Sequence, residues 1–127
     1  MPKLDALLES SLYVDDLARS VRFYETVLGL ELMVSEGERL RAMGVAGRQV
    51  LLLFRKGASE DHDGSGRLHV AFAIPAAELA AWEQRLAERG VGIESRTTWP
   101  RGGQSVYFRD PDGHLLELAT PGVWPIY

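Results

Sequence analysis

Residues 107–118, YFRDPDGHLLEL, read as two strands joined by a tight turn. Pro111 fixes the backbone torsion that such a turn requires, and Gly113 ends the turn. The apolar runs before and after the turn therefore predict a pair of antiparallel strands. Glu117 interrupts the second run, between two leucines, where an unpaired buried charge would be costly. The fold must therefore provide a partner for this carboxylate.

The rest of the chain repeats one order of elements twice. Strands are predicted at 7–14, 30–34, 39–44 and 48–55 in the first half and at 67–74, 91–99, 104–110 and 115–120 in the second half, with helices within 16–29 and 75–90. The order is β-α-β-β-β in each half. Three consecutive strands joined by short turns must pair mainly antiparallel, which argues against a sheet of parallel βαβ units. The predicted fold class is therefore α+β, with two βαβββ modules.

A polar run separates the two halves. Module one covers about residues 4–56, the polar linker about 57–66, module two about 67–122 and a C-terminal tail 123–127. The linker, which contains His62, is predicted to be a solvated connection. With 127 residues, the chain is predicted to form a single domain with a real core.

Each predicted helix carries its own boundary signals. Asp16 is placed to cap the first helix, and Gly29 to end it. Gly90 has the same place after the second helix. Apolar residues recur at helical spacing in both helices, at Leu17, Val21, Tyr24 and Leu28 and at Leu79, Trp82 and Leu86.

Composition narrows the classes of partner and location. The net charge is −4, without a basic stripe, so neither nucleic acid nor an anionic membrane is a predicted partner. The chain has no cysteine, which excludes disulfides and thiolate catalysis and fits a reducing compartment. Asp5 and Glu9 interrupt the apolar run that a signal peptide would need. We therefore expect a cytoplasmic protein.

Strand alternation places three ionisable residues on matching faces. Glu9 and His69 each lie five residues before the last core residue of their strand, so a pseudo-twofold relation between the halves makes them equivalent. Glu117 points away from its neighbouring core leucines, and Leu52 is its predicted counterpart in the first half. Glu9, His69 and Glu117 are therefore expected to converge in a concavity walled partly by alanines.

Two interpretations of these three residues stay open at this point. A divalent cation would satisfy all of them and would give Glu117 its partner. Alternatively, each side chain is exposed or hydrogen-bonded, as single Glu and His residues on strands usually are. The three have no short-range ligand spacing of the H-E-x-x-H kind, so spacing alone does not choose.

Two motifs resemble the vicinal oxygen chelate superfamily, which includes glyoxalase I, fosfomycin-resistance enzymes, extradiol dioxygenases and bleomycin-resistance proteins. Residues 12–32, LYVDDLARSVRFYETVLGLEL, are similar to its opening, and residues 107–118 to its closing strand–turn–strand. The resemblance implies a glyoxalase-like fold of paired, cupped, mainly antiparallel mixed sheets. It also implies a metal site, a small-molecule substrate and a homodimer.

In that superfamily the metal ligands come from the first strand of each half and from the last strand. Carried over by position, they are Glu9, His69 and Glu117, the residues that strand phase selects. Many members have His where this chain has Glu9. Leu52 stands at the position of a fourth ligand in glyoxalase I, which argues against glyoxalase I proper.

The donor set bears on the identity of the metal. Two carboxylates and one neutral imidazole cancel a 2+ charge. The candidate divalent metals are Mn, Fe, Mg, Ni and Zn, of which oxygen-rich ligation favours Mn, Fe or Mg. A substrate anion would then need other cationic groups.

Further residues are predicted around this site. Trp99, Arg101, Ser105, Tyr107 and Leu52 are predicted to bind substrate, with Arg101 supplying positive charge. Glu9 and Tyr13 are the predicted catalytic residues. Either a displaced Glu9 or metal-bound hydroxide would serve as base, and the Tyr13 hydroxyl would donate to a metal-bound oxygen. Alternatively, residues 99–107 form a surface hairpin and Tyr13 only packs. His114 is not expected to be a ligand. The tail residues Trp124, Ile126 and Tyr127 are expected to pack on a module or on a dimer partner.

Three functions follow from these expectations. The first is a metal-dependent enzyme, a lyase, isomerase, epoxide-opening transferase or dioxygenase, which stabilises an oxyanion or activates water. The alternative is a metal-free drug- or metabolite-binding protein of the bleomycin-resistance type. The third is a degenerate member that binds a partner protein.

Overall fold

The computed structural model describes residues 1–59 and 64–127 and divides at the end of the polar run into two units, residues 1–66 and 67–127. His62, predicted to lie in a solvated connection, is outside the described residues. No helix within the described part of the chain is long and apolar enough to cross a membrane.

The first unit is a four-stranded sheet with one helix. Its elements are β1 (Glu9–Val14), α1 (Leu17–Thr26), β2 (Glu31–Glu36), β3 (Leu40–Val45) and β4 (Gln49–Arg55). The strand order is β1-β4-β3-β2. β1 and β4 are parallel, because α1 carries the chain across the sheet, whereas the turns between the later strands make their pairing antiparallel.

The second unit repeats this plan. Its elements are β5 (His69–Ala73), a short 3-10 turn (Ala76–Glu78), α2 (Leu79–Glu88), β6 (Ser95–Thr98), β7 (Gln104–Arg109) and β8 (Leu115–Ala119). The strand order is β5-β8-β7-β6, with β5 and β8 parallel and the other pairs antiparallel. The predicted α+β class with two βαβββ modules and mixed sheets is confirmed.

The predicted boundaries of α1 are confirmed at both ends. The carboxylate of Asp16 accepts a hydrogen bond from the backbone N–H of Arg19 at 3.0 Å. Gly29, with φ of +71°, takes the left-handed conformation that ends the helix. The buried residues of α1 recur at helical spacing, at Leu17, Ser20, Val21 and Tyr24.

Each sheet has one apolar face. In the first unit, the fully buried side chains include Leu12, Val14, Met43 and Leu53. In the second unit, they include Leu86, Phe108, Leu116 and Leu118. Strand alternation sends every second residue to the other face of the sheet, and in the second unit that face carries His69 and Glu117.

Several predicted strands are shorter in the structure, and two of them differ clearly at their first residues. β1 begins at Glu9 rather than residue 7, and β6 begins at Ser95 rather than residue 91. The backbone N–H of Val91 donates to the carbonyl of Leu86 at 2.8 Å, so this residue completes the end of α2 instead of starting a strand. Backbone groups used at a helix end are not available to a sheet.

The C-terminal tail packs on its own module through Tyr127. The hydroxyl of Tyr127 donates to the carbonyls of Ile74 at 3.2 Å and Ala119 at 2.9 Å, which ties the tail to β8 and to the residue after β5. Trp124 and Ile126 are 64% and 96% exposed in the single chain, so their packing on a dimer partner stays a prediction. The tail turns back on itself, which leaves these two side chains outward.

Candidate functional site

Strand register brings the polar residues of the second unit together. Glu117 of β8 pairs with Ala71 on one side and with Tyr107 on the other, so these side chains share a face. His69 lies two residues before Ala71 and therefore has the same phase. Ala71 and Ala73 are small and exposed, so they leave space in front of the carboxylate.

Glu117 has different partners on its two oxygens. The residue is 6% exposed, so its carboxylate needs satisfied hydrogen bonds. Oε2 accepts a hydrogen bond from the hydroxyl of Ser105 at 2.6 Å. Oε1 lies 3.1 Å from Nε2 of His69. The buried Glu117 carboxylate, which was expected to need a partner, therefore has two: a serine and a histidine of the same unit.

The hydrogen bond on the far side of the His69 ring identifies the tautomer. Nδ1 lies 2.9 Å from the carbonyl oxygen of Leu115. Because a carbonyl only accepts, Nδ1 carries the ring hydrogen. In the neutral ring, Nε2 then has a lone pair and no hydrogen, and that lone pair points at Glu117.

Nε2 of His69 and Oε1 of Glu117 are therefore two acceptors in contact. The arrangement is satisfied either by a proton on the imidazole or by a cation that both atoms bind. A backbone carbonyl behind the distal nitrogen is the usual support of a metal-binding histidine. The His69 side chain is 48% exposed, so the pair opens to solvent. The donor set, one imidazole nitrogen and one carboxylate oxygen, fits a divalent metal ion.

Two residues predicted to bind substrate lie behind the carboxylate. Nε1 of Trp99 donates to Oγ of Ser105 at 2.9 Å, and the same Oγ donates to Glu117. Ser105 is 1% exposed. The polar atoms of Trp99 and Ser105 are thus hydrogen-bonded to each other and to Glu117, and substrate binding by them stays a prediction.

Of the other predicted residues of this unit, Tyr107 lies beside His69 and Arg101 lies in the turn that precedes β7. The ring centroid of Tyr107 is 6.4 Å from that of His69. Arg101 is exposed in the turn between β6 and β7, where the backbone N–H of Gly102 donates to the carbonyl of Trp99. Substrate binding by Tyr107 and by Arg101 stays a prediction.

The remaining predicted residues belong to the first unit. Glu9 is exposed at the start of β1. Tyr13 stacks on Phe54, with ring centroids 5.6 Å apart. Leu52 pairs with Ser11 as Glu117 pairs with Ala71, so the register places Leu52 at the position that corresponds to Glu117. Within residues 1–59 and 64–127, no group of three or more His, Asp or Glu side chains is arranged to hold a metal ion.

His114 has a structural role. It is 1% exposed, its Nδ1 accepts from the backbone N–H of Leu68 at 2.9 Å, and its own N–H donates to Asp110 Oδ1 at 2.9 Å. Asp110 also accepts from the N–H of Asp112, so it stabilises the turn between β7 and β8. That His114 is not a metal ligand stays a prediction.

The sequence interpretation missed the partners of the candidate ligands. Ser105 was assigned to substrate rather than to Glu117, although counting residues back from the turn at 110–113 puts both on one face. The carbonyl of Leu115 could not have been found, because a backbone oxygen has no residue-type signal.

Comparisons with known proteins agree on one superfamily. A family model described as the Glyoxalase/Bleomycin resistance protein/Dioxygenase superfamily matches residues 3–118. A metallothiol transferase FosB from Staphylococcus saprophyticus is 33% identical over 108 residues, which make up 84% of this chain and 71% of that protein. The FosB of Bacillus licheniformis is 31% identical over 112 residues, 87% of this chain and 72% of that protein.

Solved structures give the same result. A lactoylglutathione lyase from Agrobacterium tumefaciens aligns with a TM-score of 0.88 and 30% identity, over 98% of this chain and 99% of that one. The fosfomycin resistance protein FosX from Listeria monocytogenes, in its monoclinic form, aligns with a TM-score of 0.74 and 25% identity, over 93% of this chain and 92% of that one.

Proposed function

The chain belongs to the glyoxalase/bleomycin resistance protein/dioxygenase superfamily, and we propose that it is a divalent-metal-dependent enzyme. We further propose that it transfers a low-molecular-weight thiol to a small, oxygenated, electrophilic substrate such as an epoxide. The similarity to metallothiol transferases at 31–33% identity supports the thiol and the metal. The similarity to a fosfomycin resistance protein supports the class of substrate.

One observation carries the proposal of a metal. Nε2 of His69 and Oε1 of Glu117 lie 3.1 Å apart, and the bond from Nδ1 to the Leu115 carbonyl leaves Nε2 without a hydrogen in the neutral ring. We propose Glu9 as the third ligand. Three protein ligands leave coordination positions for substrate.

A divalent cation held by these residues would stabilise negative charge on a substrate oxygen. In the proposed transfer, the thiol sulfur bonds to carbon, the carbon–oxygen bond breaks, and the thiol proton ends on the released oxygen. Tyr13 would donate a hydrogen bond to that oxygen. Glu9, when displaced from its ligand position, would accept the thiol proton first.

The proposed centre is formally neutral, because Glu9, Glu117 and a neutral His69 balance a 2+ ion. An anionic substrate would therefore depend on Arg101 for positive charge. Tyr107 lies beside His69 and would contact the substrate there. Leu52 would contribute an apolar wall where its counterpart in the second unit is a carboxylate.

Glu9 could come from the same chain or from a second copy in the homodimer that we propose. Mixing Glu9→Ala with Glu117→Ala separates the two arrangements. If copies share the site, the mixture regains part of the metal binding that each variant lacks alone. If each chain builds its own site, the mixture stays metal-free.

The metal is tested by titrating metal-free protein, purified without a His tag, with Mn²⁺, Fe²⁺ and Zn²⁺ in a calorimeter. We expect about one ion per chain in the wild type and a loss of binding in His69→Ala and Glu117→Ala. Glu25→Ala, at an exposed position on α1, is the matched control and should bind as the wild type does. A wild type that binds none of these ions would favour the metal-free binding protein instead.

The reaction is tested by following thiol consumption with fosfomycin and with a neutral epoxide. We expect metal-dependent loss of thiol, with Arg101→Ala weakening turnover of the anionic substrate more than that of the neutral one. Equal losses for both substrates would contradict the role proposed for Arg101.

Isomerisation of a thiohemiacetal is the second candidate, favoured by the 30% identity to a lactoylglutathione lyase. Leu52 argues against it, since an apolar side chain at the position corresponding to Glu117 offers no fourth ligand. The same protein, assayed with methylglyoxal and glutathione, decides between the two reactions.

A further inference from the structure

We propose that Trp99 and Ser105 are positioning residues, which hold Oε2 of the Glu117 carboxylate so that Oε1 alone faces His69 and a bound cation. The orientation of the Glu117 carboxylate is inferred from its hydrogen bonds. Only the claim that the oriented carboxylate holds a cation rests on the proposed function.

The three groups form a chain whose direction follows from their chemistry. An indole Nε1–H only donates, so at 2.9 Å from Ser105 Oγ the Trp99 ring must donate to the hydroxyl. A carboxylate only accepts, so at 2.6 Å the Ser105 hydroxyl must donate to Glu117. The single hydroxyl hydrogen is therefore aimed at Oε2, and the lone pair at the indole.

The contact between Ser105 and Glu117 is short for a hydrogen bond. Its 2.6 Å length is that of a hydroxyl bonded to an ionised carboxylate, which is among the stronger bonds in proteins. Ser105 is 1% exposed and Glu117 is 6% exposed. Water therefore competes little for Oε2, and the bond selects one orientation of the carboxylate.

The hairpin holds the Trp99 ring over Ser105. The backbone N–H of Trp99 donates to the carbonyl of Gly103 at 2.8 Å, and Gly102 donates back to the carbonyl of Trp99 at 2.9 Å. Thr97 of β6 pairs with Ser105 of β7, which sets the register just before the turn. The indole is thus carried by a closed turn rather than by a free loop.

The consequence for the site concerns which oxygen is available. The terminal torsion of a glutamate is broad, so a carboxylate without Ser105 could present either oxygen, or both, to His69. With Oε2 held, one oxygen remains beside Nε2. Loss of such a supporting bond typically lowers metal affinity on the order of 10–100-fold.

The first arm of the experiment uses metal-free protein and reads the indole N–H resonances of the three tryptophans by heteronuclear NMR. Trp99 is assigned by its loss in Trp99→Phe. We expect its resonance to move in Ser105→Ala, and also in Glu117→Ala, which removes the acceptor of the Ser105 hydroxyl. Ser105→Thr, which keeps the hydroxyl, should restore it. The resonances of Trp82 and Trp124 serve as internal controls.

The second arm measures Mn²⁺ affinity of the same proteins by calorimetry. We expect Ser105→Ala to bind on the order of 10–100-fold more weakly and Trp99→Phe to show a smaller loss in the same direction. Ser105→Thr should bind as the wild type does. Trp124→Phe is the matched control for the loss of an indole, since Trp124 is 64% exposed and lies in the tail.

The outcomes separate the two proposals. If the wild type binds Mn²⁺ and Ser105→Ala binds it equally well, the positioning role falls and the metal site stands. If the wild type binds no divalent ion, the proposed function is wrong. If the Trp99 resonance moves in neither Ser105→Ala nor Glu117→Ala, the positioning role is wrong as well. If Ser105→Ala loses its spectral dispersion, Trp99→Phe and Ser105→Thr decide in its place.

Discussion

Glu117 and His69 meet through two atoms that both accept hydrogen bonds when the imidazole is neutral. The Leu115 carbonyl behind the ring prevents the tautomer that would place a hydrogen between them. Without a cation or a ring proton, the pair therefore keeps an unfavourable contact, at a position where Glu117 is 6% exposed. A site that binds a charged ligand tightly often carries such a cost when it is empty.

Glu117→Gln removes this conflict, because the amide N–H donates to Nε2 of His69 while the amide oxygen still accepts from Ser105. With a chelator present and the imidazole neutral, we expect this variant to be more stable than the wild type by about 1 kcal/mol. Urea denaturation checks the change. If the proposed metal site exists, saturating Mn²⁺ should stabilise the wild type and leave Glu117→Gln unchanged. A metal-free variant less stable than the wild type would contradict the assigned tautomer.

At the scale of elements, the hairpin of β6 and β7 is located by a close contact with the tail. Gly103 is buried against the backbone of Gly122, and a Cβ at Gly103 would lie 2.6 Å from the nitrogen of Val123. A real Cβ essentially never comes so close to backbone atoms. The glycine therefore allows the turn that carries Trp99 to rest on the chain after β8.

Gly103→Ala should displace this turn and lower the free energy of unfolding by about 1–3 kcal/mol, as overpacking does. Gly92→Ala is the matched control, because a Cβ there meets nothing within 4 Å and its backbone is not left-handed. We expect Gly92→Ala to be neutral or slightly stabilising. Thermal and urea unfolding of both variants test the prediction. Equal stabilities would show that the turn does not depend on this contact.

At the scale of the whole molecule, the described chain exposes several large apolar side chains. They include Leu7, Leu8, Met33, Val34, Trp124 and Ile126. Scattered single residues of this kind are normal on a surface, but two adjacent pairs are unusual for a monomer.

We therefore expect the chain to be a dimer at micromolar concentration, with a mass twice the 14.1 kDa of the chain. Light scattering coupled to size-exclusion chromatography measures this mass. Met33→Glu combined with Val34→Glu should shift the mass toward that of the monomer, since charges are costly in an apolar interface. Leu4→Glu, at a single residue that is 97% exposed, is the control. A wild type of 14.1 kDa would contradict the prediction.

The tail residue Tyr127 makes the free energy of unfolding depend on pH in the alkaline range. Burial raises the pKa of the Tyr127 hydroxyl, which donates to the carbonyls of Ile74 and Ala119. A group whose pKa is raised by folding stabilises the protein below its unfolded-state pKa, about 10 for tyrosine, and loses that contribution as pH rises through the folded-state value.

Tyr127→Phe tests this linkage. At pH 8 the variant should melt below the wild type, by the equivalent of about 1 kcal/mol for the lost hydrogen bonds. Near pH 11 the difference should shrink, because the ionised wild-type hydroxyl no longer donates. Melting temperatures across this range check the trend, and a difference independent of pH would contradict it.

The order of elements could be predicted from the sequence, because it depends on local properties. Alternation of apolar residues, the cap at Asp16 and the turn that ends at Gly113 each act within a few residues. Residues 91–94 were predicted wrongly as strand, since whether their backbone groups serve a helix end or a sheet depends on what lies next to them.

The sequence by itself determined which side chains face the same way, and thereby selected His69 and Glu117. Only the tertiary structure decided what those side chains touch, since contact depends on register between strands distant in the chain. It placed Ser105 on one carboxylate oxygen and His69 on the other, and it set a backbone carbonyl behind the imidazole. A hydrogen bond requires its two atoms to be placed within tenths of an ångström, whereas strand phase tells only which face of the sheet a side chain occupies.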